Sequence, residues 1–370
     1  MWYRSSGSKI TRASFASLVA MMLCILLVGC NASISLGGSG SGTSGSNASA
    51  ASTSTGVIGS GVQGVQLFVE PNDGDRVITN AIAGAKKTLL LEMYLLTERN
   101  VINALEEASQ RGIDVRVMLE IHPYGGGSVS PQETLDRLKA AGVNAKATSP
   151  NFSLTHEKGM VIDGKTAYIM TSNFTASALG SSNYTKNREY GIIDSNAQDV
   201  QAVIDIFNAD WNHSFPQITD PDLVVSPVNS RAAFTALINS THHTLLVEAE
   251  EMQDSNIEQA IVNAGKRGVQ VQVILPSPNS SSSDSTGDSN SSGISAIGQS
   301  GVQVKEDPRL YMHAKIIVAD GQKAFVGSEN ISSASLDGNR ELGIIVSDQN
   351  ALNTLQQTFQ QDWSDSHVVQ

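Results

Sequence analysis

Two short stretches of this chain carry the same polar side chains in the same order. The first reads THEKGMVIDGKTAYIMTSNFT over residues 155–175, and the second reads MHAKIIVADGQKAFVGSENIS over residues 312–332. Each contains a histidine, a lysine two residues later, an Asp-Gly pair and a later asparagine. These residues are His156, Lys158, Asp163 and Asn173 in the first stretch, and His313, Lys315, Asp320 and Asn330 in the second. Such residues can perform nucleophilic and acid–base chemistry on an anionic substrate.

The histidines, lysines and asparagines of the two stretches suit nucleophilic displacement at the phosphorus of a phosphodiester. It needs a nucleophile, an acid for the leaving oxygen, and positive charge around the phosphoryl oxygens. Two histidines can share the first two tasks if one is neutral and the other protonated. The lysines and asparagines can form an electrostatic clamp that takes the place of a metal ion. Further along, Glu189 in NREYGII and Glu341 in NRELGII can accept a hydrogen bond from each histidine and favour the imidazolium.

A histidine–carboxylate metal site is the competing interpretation of the same residues. The interposed lysines argue against it, because an ammonium group beside a divalent cation is electrostatically unfavourable, and no His-x-x-x-His spacing occurs. We therefore predict neither a metal ion nor another cofactor. A lone histidine or lysine is usually structural or solvated, but repetition of both with asparagine and glutamate argues against coincidence. The other histidines lack such partners and are predicted to lie on the surface: His122, His213, His242, His243 and His367.

The elements that must position these residues can be predicted from local patterns. On a strand, a histidine and a lysine two residues apart share one face. Each Asp-Gly pair stands between apolar strand sequences, which is the strongest short-range signal for a β-hairpin. The turn accounts for Asp163 and Asp320, which are therefore predicted to be structural.

An internal repeat extends beyond the two motifs. Residues 78–120 align without gaps on residues 234–276, and each copy reads as helix, buried strand, helix and β-branched strand. That order predicts a parallel strand pair with a crossover helix. Later, FNADW and FQQDW match, and Trp211 and Trp363 are predicted to pack helix against sheet.

The repeated order His-x-Lys-x-x-x-x-Asp, Gly-Ser-x-Asn and Glu resembles the phospholipase D superfamily over essentially the whole chain after residue 63. The resemblance implies an α/β fold of two phospholipase D-like α/β/α halves, related by a pseudo-two-fold axis, with one active site at their interface. It also implies that one histidine, usually that of the first motif, forms a phosphohistidine while the other protonates the leaving group. His156 is accordingly predicted to be the nucleophile and His313 the general acid.

The first copy departs from this pattern at one position. It reads Met170-Thr171-Ser172-Asn173 where the second reads Gly327-Ser328-Glu329-Asn330. Thr171 keeps the hydroxyl of Ser328, and both are predicted to be structural. Met170 replaces the glycine, which puts the backbone packing around the first motif in question.

The N-terminus resembles a secretion signal. A basic stretch precedes an apolar run that ends at Gly29, too short for a comfortable membrane span. The sequence LVGC resembles a bacterial lipobox, which implies removal of residues 1–29 and lipid on Cys30; an uncleaved anchor is the alternative. The chain is thus predicted to be an extracytoplasmic, membrane-anchored bacterial lipoprotein. Its only other cysteine is Cys24, so no disulfide framework is expected.

Composition divides the remainder of the chain. Residues 30–63 are Gly/Ser-rich and are predicted to be a flexible tether. The predicted first half covers residues 64–214, the linker residues 215–226, and the second half residues 227–370.

Charge and export bear on the substrate. The net charge is −12 and only 5% of residues are aromatic, so long-range attraction to nucleic acid and base stacking are weak. We predict a phospholipase D-type enzyme that cleaves or transfers a phospholipid head group, giving phosphatidic acid. Its partners would be the phospholipid and the membrane surface, with no obligate protein partner. An extracytoplasmic metal-independent nuclease is the alternative, and a non-catalytic phosphate-binding surface module is the third interpretation.

Overall fold

A computed structural model describes residues 58–124, 129–278, 290–298 and 300–369. The predicted leader, Cys30 and the tether as far as residue 57 lie outside the described residues. Within those ranges, no helix is both long enough and apolar enough to cross a membrane.

Strands and helices occur in nearly the same order in the two halves of the chain. The first half contains β1 (Gln66–Glu70), α1 (Arg76–Gly84), β2 (Thr88–Met93), α2 (Arg99–Gln110), β3 (Asp114–Leu119), α3 (Pro131–Ala140), β4 (Asn144–Ala147), β5 (Lys158–Ile162), β6 (Thr166–Met170), β7 (Asn187–Asp194) and α4 (Ala197–Trp211). The second contains β8 (Leu223–Ser226), α5 (Ser230–Asn239), β9 (Thr244–Ala249), β10 (Met252–Gln253), α6 (Ser255–Lys266), β11 (Gln270–Pro276), α7 (Ser291–Gly298), β12 (Gln303–Asp307), β13 (Tyr311–Met312), β14 (Lys315–Ala319), β15 (Lys323–Gly327), β16 (Ile331–Ser332), α8 (Ser333–Asp337), β17 (Glu341–Val346), α9 (Gln349–Asp365) and β18 (His367–Val368).

Each half builds one mixed sheet with the same strand order. The first sheet runs β1-β7-β6-β5-β2-β3-β4, and the equivalent strands of the second run β8-β17-β15-β14-β9-β11-β12, followed by β18. Strand β2 pairs in parallel with β3, and β9 pairs in parallel with β11. The crossover helices α2 and α6 connect these pairs, so the predicted strand–helix–strand units are confirmed, as is the duplicated α/β fold.

Two segments outside the predicted halves belong to the fold. Strand β8 pairs with β17, so the expected linker is corrected: its last four residues are a buried strand, because its Leu-Val-Val sequence can bury apolar surface. Near the end of the predicted tether, Val62 is buried and its N–H donates to the carbonyl of Ile345 at 3.0 Å.

Among the described residues, three large apolar cores hold the sheets, and a fourth, small cluster contains Tyr94, Leu95 and Leu154. One core joins the halves and contains Ile169 and Ile192 of the first sheet, Ile316 and Ile344 of the second, and side chains of α4 and α9. Separate cores lie within each half. Alternate residues of β14 face different cores, since Ile316 lies in the shared core and Ile317 in the second-half core.

The Asp-Gly hairpins form as predicted. Strands β5 and β6 pair antiparallel, as do β14 and β15. Both turn residues have positive φ: 54° and 61° at Asp163 and Gly164, and 53° and 63° at Asp320 and Gly321. Positive φ at both central residues is the geometry of a type I′ turn, which is closed here by the N–H of Lys165 on the Ile162 carbonyl and by that of Gln322 on the Ala319 carbonyl. Three residues separate the paired strand ends in each hairpin. Each aspartate also accepts hydrogen bonds from three consecutive backbone N–H groups at the start of β2 or β9, which supports a structural role.

The packing explains the departure at Met170. In the second sheet Gly327 lies opposite Gly343, and a Cβ added to Gly327 would stand 2.4 Å from the Gly343 backbone. In the first sheet Met170 lies opposite Gly191 and is fully buried in the first-half core. The larger side chain is therefore accommodated, and the strand pairing is the same in both halves.

The tryptophans pack against the sheets as predicted. Trp211 and Trp363 lie at or near the ends of α4 and α9. The ammonium of Lys146 on β4 lies 4.2 Å from the Trp211 ring, and that of Lys305 on β12 lies 4.5 Å from the Trp363 ring. Each contact joins a helix to the equivalent strand of its own sheet, β4 or β12.

Candidate active site

The segment before each motif histidine pairs with the other half of the chain. Strand β13, which directly precedes His313, pairs in parallel with the first two residues of β7. Thr155 forms the equivalent bridge with Arg340, and the backbone N–H of His156 donates to the Arg340 carbonyl at 2.8 Å. This reciprocal pairing places each histidine beside the glutamate that follows in the other half.

The histidine–glutamate pairs are completed across the halves. Nδ1 of His156 lies 2.9 Å from Oε2 of Glu341, and Nδ1 of His313 lies 2.9 Å from Oε2 of Glu189. A hydroxyl holds each carboxylate: Ser335 donates to Glu341 at 2.7 Å, and Thr171 donates to Glu189 at 2.6 Å. With Nδ1 engaged in this way, Nε2 is the nitrogen of each ring that is available for chemistry. Neither half contains a complete pair.

The lysines and asparagines of both motifs are also buried. Nζ of Lys158 donates to the carbonyl of His156, and Nζ of Lys315 donates to the carbonyl of His313 at 2.7 Å. Neither amide atom of Asn173 has a hydrogen-bond partner among the described residues. Polar groups that are buried without partners are rare in folded proteins, so this amide is poised to bind a ligand.

Electrostatics link the two motifs. Burial lowers the pKa of His156 to about 4, against the opposing effect of Glu341 and with help from the charges of Lys158 and Lys315. Burial also lowers the pKa of Lys158 to about 7, and the charge of Lys315 contributes again. The charge of Lys315, in the second motif, contributes to the lowered pKa values of His156 and Lys158, in the first. The two motifs therefore belong to one site.

Two site residues were missed in the sequence, and they occupy equivalent positions. The ring of Tyr94 meets that of His156 edge-on, with centroids 4.6 Å apart. Glu250 accepts a hydrogen bond from Nζ of Lys315 at 2.9 Å. The gapless alignment of residues 78–120 on 234–276 places Tyr94 opposite Glu250. Since the two residues differ, they do not stand out as a repeated motif.

Two buried arginine–aspartate ion pairs lie next to the site glutamates. Arg340 pairs with Asp210 at 2.7 Å, and Arg188 pairs with Asp362 at 2.6 Å. Each pair joins the halves, and each arginine directly precedes one of the two site glutamates. The aspartates belong to the repeated FNADW and FQQDW sequences, so these repeats contribute buried ion pairs as well as the aromatic packing that their tryptophans predict.

One group of three carboxylates among the described residues has a spacing that could hold a metal ion: Glu92, Glu157 and Asp210. Burial raises the pKa of Glu92 well above its ordinary value and that of Glu157 to about 8. Asp210 is already paired with Arg340. Neutral carboxyls beside a guanidinium are poor ligands for a cation, so this cluster does not fit a metal centre. The five histidines outside the motifs are exposed, as predicted.

We expect kcat/KM to be bell-shaped in pH. Activity should fall below about pH 4, as His156 gains a proton and loses its free lone pair, and above about pH 7, as Lys158 loses its charge. A pH series with a soluble phosphodiester checks both limbs. Lys158→Arg should move the alkaline limb upward, because a guanidinium keeps its proton. An acid limb near 6.5, the ordinary histidine value, would contradict the assignment.

Two equivalent α/β halves that complete each other's histidine–glutamate pairs define a duplicated protein with one shared site. The family model described as "Cardiolipin synthase, PLD-like domain" matches residues 78–211 and 234–363. The chain therefore belongs to this phospholipase D-like family.

Individual relatives are distant. The probable cardiolipin synthase YwiE of Bacillus subtilis is 23% identical, over 79% of this chain and 64% of its own length. Cardiolipin synthase 1 of Staphylococcus aureus is 24% identical, over 80% of this chain and 67% of its own length. The chain thus spans about two thirds of the length of these relatives.

Solved structures support the fold alone. Phosphatidylserine synthase from Haemophilus influenzae superposes with a TM-score of 0.64 at 12% identity, over 84% of this chain and 88% of that one. Polyphosphate kinase from Porphyromonas gingivalis superposes with a TM-score of 0.62 at 18% identity, over 80% of this chain and 46% of that one.

Proposed function

We propose that this chain transfers the phosphatidyl group of a phospholipid through a phosphohistidine. Nε2 of His156 attacks the phosphorus, the bond from phosphorus to the head-group oxygen breaks, and His313 protonates that oxygen. An acceptor hydroxyl then attacks the same phosphorus, His313 takes its proton, and the phosphorus–nitrogen bond breaks. With an alcohol as acceptor the product is a new phospholipid, and with water it is phosphatidic acid. The observation that supports this most is that each histidine pairs with the glutamate of the other half, His156 with Glu341 and His313 with Glu189.

The surroundings of the histidines support their different roles. His156 is neutral at physiological pH because its pKa is lowered to about 4, so its Nε2 keeps a lone pair. Among the described residues, no group forms a hydrogen bond with that nitrogen. His313 has a carboxylate near each ring nitrogen: Glu189 at Nδ1 and, 3.4 Å from Nε2, Glu250. This placement of His313 suits a general acid, and Nε2 is the ring nitrogen that remains for the leaving oxygen.

The remaining motif residues suit a phosphoryl clamp. Lys158 and Lys315 bring positive charge into a buried site, where electrostatic interactions are stronger than in water. Asn173 and Asn330 add amide donors. Together they can stabilise charge on the phosphoryl oxygens without a metal ion.

Two exposed aromatic residues favour a lipid over a nucleic acid. Tyr124 is 67% exposed, and its N–H donates to the hydroxyl of Tyr94, whose ring contacts His156. Tyr184 is 96% exposed and lies two residues before Lys186, whose carbonyl accepts the N–H of Tyr311 beside the second motif. Exposed tyrosines on segments that contact the site are suited to the membrane–water interface. The net charge of −12 and the relatives named cardiolipin synthases support the same choice.

The substrate class can be tested on one preparation. We expect the purified chain to act on phosphatidylcholine vesicles in the presence of EDTA, forming phosphatidylglycerol when glycerol is supplied and phosphatidic acid when it is not. Single-stranded DNA should remain intact under the same conditions. His122→Ala, a change of an exposed histidine, is the matched control and should keep full activity.

Three other outcomes would each contradict part of this proposal. Cleavage of DNA without turnover of lipid would establish the nuclease alternative. Loss of activity in EDTA, restored by a divalent ion, would disprove the metal-free mechanism. Phosphate binding without turnover of either substrate would favour the third interpretation, a non-catalytic phosphate-binding module.

We also propose that Cys30 carries the lipid anchor that holds the domain near its substrate. Cys30→Ser should remove lipidation and shift the protein from the membrane fraction to soluble or unprocessed forms. Fractionation with metabolic labelling by a fatty acid measures both effects. Normal cleavage and unchanged membrane association in the variant would show that the anchor is not Cys30.

A further inference from the structure

Glu250 occupies a position at which the two halves of the site differ in charge. It follows β9 directly, and the equivalent residue after β2 is Tyr94. Tyr94 places an aromatic edge against His156, and its hydroxyl accepts the N–H of Tyr124. Glu250 instead directs a carboxylate to the residues of the second motif. Equivalent backbone positions therefore carry side chains of different charge.

The Glu250 carboxylate is bound by the groups that a phosphoryl oxygen would use. Its Oε2 accepts hydrogen bonds from Nζ of Lys315 at 2.9 Å and from Nδ2 of Asn330 at 3.3 Å. The same oxygen lies 3.4 Å from Nε2 of His313, a contact without hydrogen-bond geometry. Its Oε1 accepts the hydroxyl of Tyr311 at 3.0 Å. One carboxylate oxygen thus stands among the lysine, asparagine and histidine of the second motif.

The carboxylate is buried and ionised. Glu250 is 2% exposed. Burial by itself would raise the pKa of Glu250, but the charges of His313 and Lys315 and the hydrogen bond from Lys315 lower it to about 2. Glu250 therefore carries a full negative charge across the neutral pH range.

The first half has no such occupant. Within the described part of the chain, no carboxylate forms a hydrogen bond with Lys158, and the Asn173 amide has no partner at all. The lysine and asparagine of the first motif are therefore available to a substrate, while those of the second motif already hold an anion.

We propose that Glu250 is a specificity-determining residue that occupies the second half of the phosphoryl clamp and that a substrate phosphodiester must displace. The inference rests on the proposed function of the clamp. A phosphodiester and a carboxylate present similar anionic oxygens, and the two cannot share Lys315 and Asn330 without repulsion. A substrate with a large non-reacting part can offset the displacement through its other contacts. A small anion such as inorganic phosphate has no such contacts, so Glu250 excludes it.

Binding of inorganic phosphate tests this directly, using isothermal titration of the full chain in detergent at pH 7. Glu250→Gln keeps the shape of the side chain and removes its charge, whereas Glu250→Tyr introduces the residue of the first half. Either change should lower the Kd for phosphate at least tenfold. Glu251→Gln removes the same charge one residue along the chain and should change the Kd less than twofold.

An unchanged or higher Kd in both Glu250 variants would overturn the proposal. A fall in kcat with unchanged phosphate binding would also overturn it, because Glu250 would then act through His313 and not as a competitor. An equal fall in the Kd for phosphate in Glu251→Gln would also contradict the proposal, because the effect would then come from the net charge of the protein and not from the position of Glu250. Since no lipid is present in the titration, failure of the phospholipid reaction would leave this result interpretable.

Discussion

Replacing either His156 or His313 by alanine is expected to lower kcat by roughly a thousandfold or more, because each supplies a principal catalytic group. Each histidine takes its glutamate from the other half, so there is one site and not two. Two independent sites would leave about half of the activity in each variant. Steady-state assays of both variants on phosphatidylcholine vesicles, with His122→Ala as the control, measure the loss.

The two variants should also differ in kind. His156→Ala removes the atom that attacks phosphorus, so it should stay inactive on every phosphodiester. His313→Ala should keep slow turnover of a p-nitrophenyl phosphodiester, whose leaving group needs no proton. Half activity in each variant would refute the shared site. Rescue of His156→Ala by the activated substrate, with none for His313→Ala, would reverse the roles.

Arg340→Met is expected to lower the free energy of unfolding by about 3–5 kcal/mol, the usual cost of removing one partner of a buried ion pair. Arg340 and Asp210 are both fully buried and join the two halves. Because Arg340 directly precedes Glu341, activity should fall as well. Urea denaturation compared with the parent chain measures the stability change.

The surface pair of Arg309 and Asp365 provides the control for this prediction. Arg309 is 69% exposed in its side chain, so Arg309→Met should cost only about 0–1 kcal/mol. Replacing Arg340 by Met and Asp210 by Leu together should recover part of the loss, since no unpaired charge then remains buried. A cost for Arg340→Met no larger than that for Arg309→Met would show that the pair does not hold the halves together.

The chemical residues could be predicted because the chain repeats them. His156 with Lys158 and His313 with Lys315 recur at equivalent positions, and the Asp-Gly turns define the hairpins that carry them. The assignment of each glutamate to a histidine was not predictable. Glu341 lies 185 residues from His156 and only a short segment from its own motif, and only the strand exchange before each histidine decides the pairing.

Other features depend on tertiary contacts that local patterns do not contain. The Arg–Asp pairs lie within the repeated NRE and DW sequences, yet nothing local shows that they pair across the halves. Tyr94 and Glu250 escaped notice because the repeat is broken there. The sequence predicts a linker over the buried strand β8, because only a short apolar run distinguishes the strand from the polar sequence before it.

Trapping of the covalent intermediate tests the central proposal most directly. His313→Ala should be mixed with a p-nitrophenyl ester of phosphatidic acid, quenched at alkaline pH, where phosphohistidine is stable, and digested for mass spectrometry. We predict a phosphatidyl adduct on the peptide that contains His156, and none when His156 is also replaced by alanine. An adduct on any other residue, or turnover of the substrate without an adduct, would contradict the proposed mechanism.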